Sequence, residues 1–289
     1  LDRDSIRGIG IGCPGPVEIR RYGKIGISPL AKGLHYGQSV FEGMKAFRGD
    51  DGVVGLFRPR DHLQRMCRSA ERVCLPAIDV DQVLAGIEEL IALDYEHVPT
   101  APDSLYVRPV LLATEGTLSP APARQHMLMV VMCPVSNYIE APTGLRLTTA
   151  LDHVRAAPGG TGAAKCGGNY AAALPATLAA KQRGYDEVVW LDALERRYLE
   201  EVGTMNLFAV RNDQLITPPL SDTILAGMTR DTVIHLARDS GLSVAETRIS
   251  VDPAEWRGVD EVFATGTAAG VMEVRELSHG DQMLFQKEG

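Results

Sequence analysis

Helical and strand-like periodicities follow one another along this chain without strict alternation, and that order limits the folds open to it. A doubly wound parallel sheet needs strand and helix to alternate throughout. Mixed runs of each predict an α+β or mixed α/β architecture instead. From Pro59, apolar residues recur at Leu63, Met66, Cys67, Ala70, Val73 and Cys74, the spacing of one helix face, and Pro76 closes the segment. Arg65, Arg68 and Arg72 fall off that stripe. A second helix is predicted behind Asp79 as N-cap, with Gln82 placed as in a capping box and Val80, Val83, Leu84, Ile87, Leu90 and Ile91 as its apolar stripe. Residues 105–113 and 127–133 read as short buried strands.

In the second half a helix is predicted over Asn169–Arg183, stopped by Gly184, with Pro175 placed early in it or kinking it. A strand over Glu187–Leu191 follows. Leu207–Val210 and Gln214–Ile216 flank Arg211-Asn212-Asp213 and predict a hairpin. A helix over Thr229–Ser240 is expected to start on a Thr cap and end at Gly241. The strand Glu261–Ala264 runs into a Gly-rich turn, Thr265–Gly270, while residues 1–33 show no clear pattern. A length of 289 residues suits two cores. The polar, Pro-bearing stretch Ser136–Gly144 is the expected linker. The predicted division is a smaller α+β domain over 1–137, a loop over 138–144 and a larger domain over 145–289.

A formal net charge of -8 argues against nucleic-acid binding, which needs clustered Lys and Arg. No apolar run approaches the roughly 18 residues of a membrane span. The five cysteines, Cys13, Cys67, Cys74, Cys133 and Cys166, are odd in number and not closely paired, so neither a disulfide framework nor a zinc site is expected. Three of them sit among apolar neighbours as small core residues. A reducing, cytoplasmic setting follows from that reading, and no signal peptide is visible.

Gly10-x-Gly12-x-x-Gly15 matches the dinucleotide fingerprint only formally: no strand can precede it, and Pro14 and Pro16 disturb the helix that should follow. The segment from Gly159 to Tyr170 is the most unusual in the chain. It is not a P-loop, since Ala164 and Cys166 occupy the required Gly and Ser/Thr. It sets Lys165 among small residues, which leaves room for a flat ligand and favours a neutral, nucleophilic amine. A solvated lysine on a surface loop fits the same residues. Gly227-Met228-Thr229 opens a helix and Gly266-Thr267-Ala268 follows a strand, so both present amides to an anion, or simply cap and turn the chain. Glu200-Glu201 is either a solvated acidic pair or, if buried, a carboxylate in need of a cationic partner such as a protonated pyridine nitrogen.

Taken together, these blocks resemble the branched-chain amino-acid aminotransferases of the fold-type IV, class IV group of pyridoxal-phosphate enzymes. The likeness rests on Leu34-His35-Tyr36-Gly37, Phe41-Glu42-Gly43-Met44-Lys45-Ala46, Leu56-Phe57-Arg58-Pro59 with Arg65-Met66, and Leu105-Tyr106-Val107-Arg108-Pro109. It continues through Lys165-Cys166-Gly167-Gly168-Asn169-Tyr170, Glu201-Val202-Gly203-Thr204-Met205-Asn206, Thr217-Pro218-Pro219-Leu220 through Gly227, and Glu261 through Ala268. The resemblance implies a two-domain fold and transfer of an amino group from leucine, isoleucine or valine to 2-oxoglutarate, giving branched-chain 2-oxo acids and glutamate. It implies that Lys165 carries pyridoxal 5'-phosphate as a Schiff base and moves the Cα proton. Tyr170 is then the partner of the cofactor's phenolic oxygen and Glu201 that of its ring nitrogen. Arg65, Met228, Thr229 and Thr267 hold the phosphate, with Thr204, Leu225, Gly227 and Gly266 lining the cofactor. The Thr267-Ala268 turn and Tyr36 meet the substrate carboxylate, and Tyr106, Arg108 and Tyr138 shape the side-chain pocket. A homodimer and no metal are expected.

Two departures stand out. Residues 7–26 do not resemble the aromatic, His-containing stretch usual in the family. Ala269 and Met272 occupy positions where some relatives carry Cys-x-x-Cys, so no thiol switch is expected there. Within the same fold the alternatives are a D-amino-acid aminotransferase and an aminodeoxychorismate lyase. Outside it stands a non-catalytic phosphate-ligand binder.

Overall fold

A computed structural model describes residues 25–136 and 144–287, and the backbone of 8–12 and 18–21. Gly15, Tyr138 and most of the expected loop 138–144 lie outside the described residues. The chain divides into two compact units, Leu1–Tyr138 with Ala164–Gly168, and Ile139–Ala163 with Asn169–Gly289.

The first unit contains β1 (Gly8–Gly12), β2 (Glu18–Arg21), α1 (Lys32–Tyr36), β3 (Ser39–Phe41), β4 (Met44–Arg48), β5 (Val54–Leu56), α2 (Pro59–Arg72), α3 (Val80–Leu93), β6 (Ser104–Ala113) and β7 (His126–Val135). Its described strands form one sheet in the order β2-β1-β7-β6-β4-β5, with β3 also paired to β6. Strand β6 is the spine, antiparallel to β7 on one side and to β3 and β4 on the other. Alternation sends Leu105, Val107 and Leu111 into the core beside α2 and α3, and leaves Tyr106 and Arg108 on the opposite face. Helix α3 forms as its sequence dictates: the Asp79 side chain accepts from the Gln82 amide at 3.0 Å, and Val83, Leu84, Ile87, Leu90 and Ile91 are buried. Helix α2 differs from expectation in two ways. It ends at Arg72, so Val73 and Cys74 fall beyond it, and Cys74 is exposed at φ 55°. Arg65 also faces inward, 4% exposed, beside the fully buried His62, because both pair with a buried carboxylate, Glu42, in the connection between β3 and β4. The Gly10 and Gly12 run lies on β1, an antiparallel sheet strand with no nucleotide-binding turn-to-helix geometry.

The second unit contains β8 (Leu145–Thr149), α4 (Gly167–Gln182, its first two residues counted with the first unit), β9 (Glu187–Leu191), β10 (Tyr198–Val202), β11 (Met205–Arg211), β12 (Gln214–Thr217), α5 (Met228–Asp239), β13 (Ser243–Glu246), β14 (Ile249–Ser250), β15 (Val259–Gly266), β16 (Gly270–His279) and β17 (Gln282–Gln286). The order β11-β15-β16-β8-β9-β10 closes on itself, because β10 also pairs with β11. Leu145, Leu147, Val189, Leu191, Leu207, Ala264 and Leu277 belong to the core that this ring builds. Most pairings are antiparallel; β16–β8, β8–β9 and β12–β13 are parallel. The hairpin between β11 and β12 turns on Asn212 (φ 51°) and Asp213 (φ 58°), the left-handed pair of a type I′ turn. Helix α4 carries Pro175 well inside, and Gly184 and Gly241 follow α4 and α5 with positive φ. The expected Thr cap on α5 is not formed. Gly227 is the N-cap, no side chain caps it, and Thr229 lies within the first turn.

Candidate active site

In the first unit the backbone around Lys165 is pinned on both sides. Its amide donates to Ser69 Oγ on α2 (3.0 Å), its carbonyl accepts from the Phe41 amide (3.0 Å), and Cys166 bridges Val40. Ala164 and Cys166 are buried in the first core, so their small size lets this segment dock while the lysine side chain stays half-buried. Lys165 Nζ lies 4.9 Å from the centre of the Phe41 ring. The Arg108 guanidinium stacks on the same ring at 4.5 Å and on Tyr106 at 5.0 Å, and donates to the Tyr106 hydroxyl at 2.7 Å. Gly43 is required here, because a Cβ at that position would stand 1.9 Å from the Tyr106 oxygen. Between Phe41 and Gly43, Glu42 points the other way, into the core. Its carboxylate accepts from Arg65 Nε (2.7 Å), Arg65 Nη2 (2.8 Å) and His62 Nδ1 (2.9 Å). Burial pushes the Glu42 carboxyl up, but the charge and hydrogen bonds of Arg65, with His62, outweigh it and hold it at about 2.

In the second unit two carboxylates share a β-bulge. Leu199 faces Leu191 and Val202 faces Val189, so Glu200 and Glu201 together oppose Trp190. Glu200 accepts from Thr223 Oγ1 at 2.5 Å, and burial raises its carboxyl against the opposing effects of that bond and of Arg155. Glu201 Oε1 accepts from the Leu225 amide (2.9 Å) and Asn206 Nδ2 (3.3 Å), while Oε2 lies 2.6 Å from Arg155 Nη2. The Glu-Val-Gly-Thr-Met-Asn sequence makes this possible. Gly203 (φ 53°) and Thr204 turn β10 into β11, setting Glu201 directly opposite Asn206, which in turn faces Thr265 on β15. On β11 and β15, Asn206 and Thr265 alternate with Met205, Leu207 and Ala264 of the ring's core and so stand on its outer face. Further along that face Phe208 and Phe263 stack at 5.0 Å and share a hydrophobic cluster with Ile234 of α5. The entry to α5 meets Asn206: its Nδ2 donates to the Leu225 carbonyl (3.0 Å), and a Cβ on Gly227 would lie 2.0 Å from its Oδ1. A helix start that no side chain caps, beside this row, favours an anionic ligand through its amides and dipole.

Residues 39–277 match the family described as Amino-transferase class IV. The chain belongs to the class IV aminotransferases. Branched-chain-amino-acid transaminase 1 of Bacillus subtilis strain 168 is 44% identical over 283 residues, covering 95% of this chain and 79% of that protein. Among solved structures, the branched-chain amino acid aminotransferase of Escherichia coli gives a TM-score of 0.83 at 29% identity, over 96% of this chain and 88% of that one. A T.th. branched-chain amino acid aminotransferase complexed with N-(5'-phosphopyridoxyl)-L-glutamate gives 0.80 at 29%, over 96% and 89%. The fold is fold-type IV, as the sequence blocks implied.

In this class IV aminotransferase the expected site residues fall into groups. Lys165, Tyr106 and Arg108 meet at Phe41 in the first unit. Glu201, Leu225 and Gly227 meet at Asn206 in the second. Met228 and Thr229 open α5, Gly266 ends β15, and Thr267 and Ala268 form the turn after it. Tyr170 lies in the first turn of α4, and Thr204 is exposed in the hairpin loop. Tyr36 is exposed on α1 and donates to the Leu118 carbonyl. Arg65 turns its Nε and Nη2 to Glu42. The sequence alone gives no sign of the parts played by Phe41, Glu42 and Asn206, although each lies in a family-like block, nor of those played by Ser69 and Arg155. Lone polar residues with distant partners leave no periodic signal.

Proposed function

We propose that this aminotransferase moves an amino group from leucine, isoleucine or valine to 2-oxoglutarate, forming branched-chain 2-oxo acids and glutamate. The observation that carries the reading is the Arg108 guanidinium laid on the Phe41 ring that Lys165 Nζ also faces. An aromatic surface and a cation in one cluster suit a site that takes an apolar side chain in one half-reaction and a carboxylate in the other. The identity to the Bacillus subtilis transaminase across nearly the whole chain supports the same reading.

The cofactor of this proposal is pyridoxal 5'-phosphate, and the residues present fit it. Glu201 is a buried acceptor for a protonated pyridine nitrogen, and Gly227 is a position where any side chain would strike Asn206. Lys165 would hold the cofactor's aldehyde end through its side-chain amine. Tyr170 would meet the phenolic oxygen. Arg65, Met228, Thr229 and Thr267 would hold the phosphate, with Thr204, Leu225, Gly227 and Gly266 around the ring. When bound, the cofactor withdraws electrons from the substrate's Cα. Lys165 then takes the Cα proton as a tethered base and returns it as an acid. The Thr267-Ala268 turn and Tyr36 orient the substrate carboxylate. Tyr106 and Arg108, with Tyr138, select the side chain. A cytoplasmic homodimer is part of the same proposal, checked by mass in solution and by fractionation.

Initial rates with leucine, D-alanine and aminodeoxychorismate, each supplied separately with 2-oxoglutarate where an acceptor is needed, test the assignment. Leucine should be the good substrate. Turnover of D-alanine instead, or pyruvate release from aminodeoxychorismate, would overturn it.

A further inference from the structure

Arg155 is a nearly buried cation to which none of the roles above falls. It precedes the lysine segment on an irregular stretch, in Arg155-Ala156-Ala157-Pro158. Its Nη2 faces three acceptors at once: Glu201 Oε2 at 2.6 Å, the Thr223 carbonyl at 2.6 Å and the Gly162 carbonyl at 2.9 Å. One of these acceptors belongs to a segment that frames Glu201. Thr223 lies just before Leu225, whose amide holds Glu201 Oε1, and Gly162 lies in the Gly-rich loop. Glu200 sits on the same bulge as Glu201, and Arg155, Asp192 and Asp222 all bear on Glu200. A carboxylate buried in such company needs a paired cation to stay ionised.

We propose that Arg155 is a positioning residue for Glu201: it keeps that carboxylate ionised and aimed before the cofactor arrives, so that the cofactor's ring nitrogen meets a preformed acceptor. The proposal rests on the reading that Glu201 faces that nitrogen. Arg155 touches neither substrate nor cofactor in it, and acts only through Glu201. Asn206 and the Leu225 amide fix the Oε1 side of the carboxylate, and Arg155 fixes the Oε2 side.

The test compares full-length wild type with Arg155→Met, Arg155→Lys, Glu201→Gln and the Arg155→Met/Glu201→Gln double variant. Two readouts are taken: the pyridoxal phosphate dissociation constant from absorbance titration of cofactor-stripped protein, and the melting temperature without cofactor. Arg155→Met should weaken binding about tenfold to hundredfold, the range seen when a ligand's orienting partner is lost at metal sites. Arg155→Lys, which keeps the charge and the fold, should recover most of that loss. The double variant should bind no worse than Glu201→Gln alone, because the arginine has nothing left to position. Without cofactor, Arg155→Met should melt below wild type, and adding Glu201→Gln should raise its melting point by removing a buried charge that has lost its arginine. Wild-type affinity in Arg155→Met, or losses that multiply in the double variant, would overturn the proposal. If wild type bound no pyridoxal phosphate, the cofactor reading itself would fall, and the melting temperatures would still decide whether Arg155 and Glu201 act as a pair.

Discussion

Glu42 shows how much one side chain can set. It is fully buried, and it is ionised only because Arg65 and His62 are buried with it. Its carboxyl falls from 4.5 to about 2 on folding. A carboxyl depressed in this way stabilises the fold above its unfolded value, and that contribution is lost as the pH drops through about 4 toward 2. The difference is worth about 3 kcal/mol. Urea unfolding followed from about pH 6 down to about pH 2.5 should show a steeper loss for wild type than for Glu42→Gln. That variant should itself start about 3 kcal/mol lower, because Arg65 loses its charged partner. Equal slopes would remove this cluster from the acid response. On the other face of the sheet, Arg108 lies against Phe41 and Tyr106 and is the cation proposed to admit dicarboxylates. Arg108→Met should raise KM for 2-oxoglutarate about tenfold or more, while KM for leucine changes little. A parallel rise for both substrates would mean that the arginine serves only the fold.

At the level of elements, Asn206 links strand and helix. One amide reaches Glu201 on β10 and the Leu225 carbonyl at the entry to α5, and its oxygen fills the space beside Gly227. Gly227→Ala forces that entry away from β11. It should cost about 1–3 kcal/mol in urea unfolding, as overpacking does, and should weaken pyridoxal phosphate binding. A variant with unchanged stability and affinity would show that the helix entry is not held by this contact. The same elements show what was legible beforehand. Helix α3 was readable to its cap because every signal lies within a few residues: Asp79, the Gln82 amide and a regular apolar stripe. The inward turn of Arg65 was not, because its partner Glu42 lies 23 residues away between β3 and β4 and charged residues default to the outside. The start of α5 was misplaced for a similar reason. Thr229 is a good cap by propensity, but the tight fit of Gly227 against Asn206 decides where the helix begins.

For the whole molecule, the mixed order of strands and helices was visible in periodicity, and the chain divides into two units with separate cores. The closed ring of the second unit was not visible. It depends on parallel pairing of β8 with β16, strands far apart in sequence, and on a bulge that places Glu200 and Glu201 together. The lysine and Glu-Val-Gly-Thr-Met-Asn blocks stood out only through their resemblance to a family, since their residue types alone fit a solvated loop and an acidic strand end equally well, whereas Arg155 declares itself only beside Glu201. Ligand binding should register in overall stability. Pyridoxal phosphate at about a hundredfold over its dissociation constant should stabilise the fold by about 2.7 kcal/mol, and pyridoxal lacking the phosphate should do much less at the same concentration. Equal effects in calorimetry would argue against the helix start of α5 as an anion site. The most direct measurement is the absorbance spectrum of purified protein loaded with pyridoxal phosphate, before and after leucine, in wild type and Lys165→Ala. Wild type should show a band near the visible edge that leucine bleaches and borohydride fixes to the chain, and Lys165→Ala should show neither. A Lys165→Ala protein that still responded to leucine and turned over would contradict the role given to this amine.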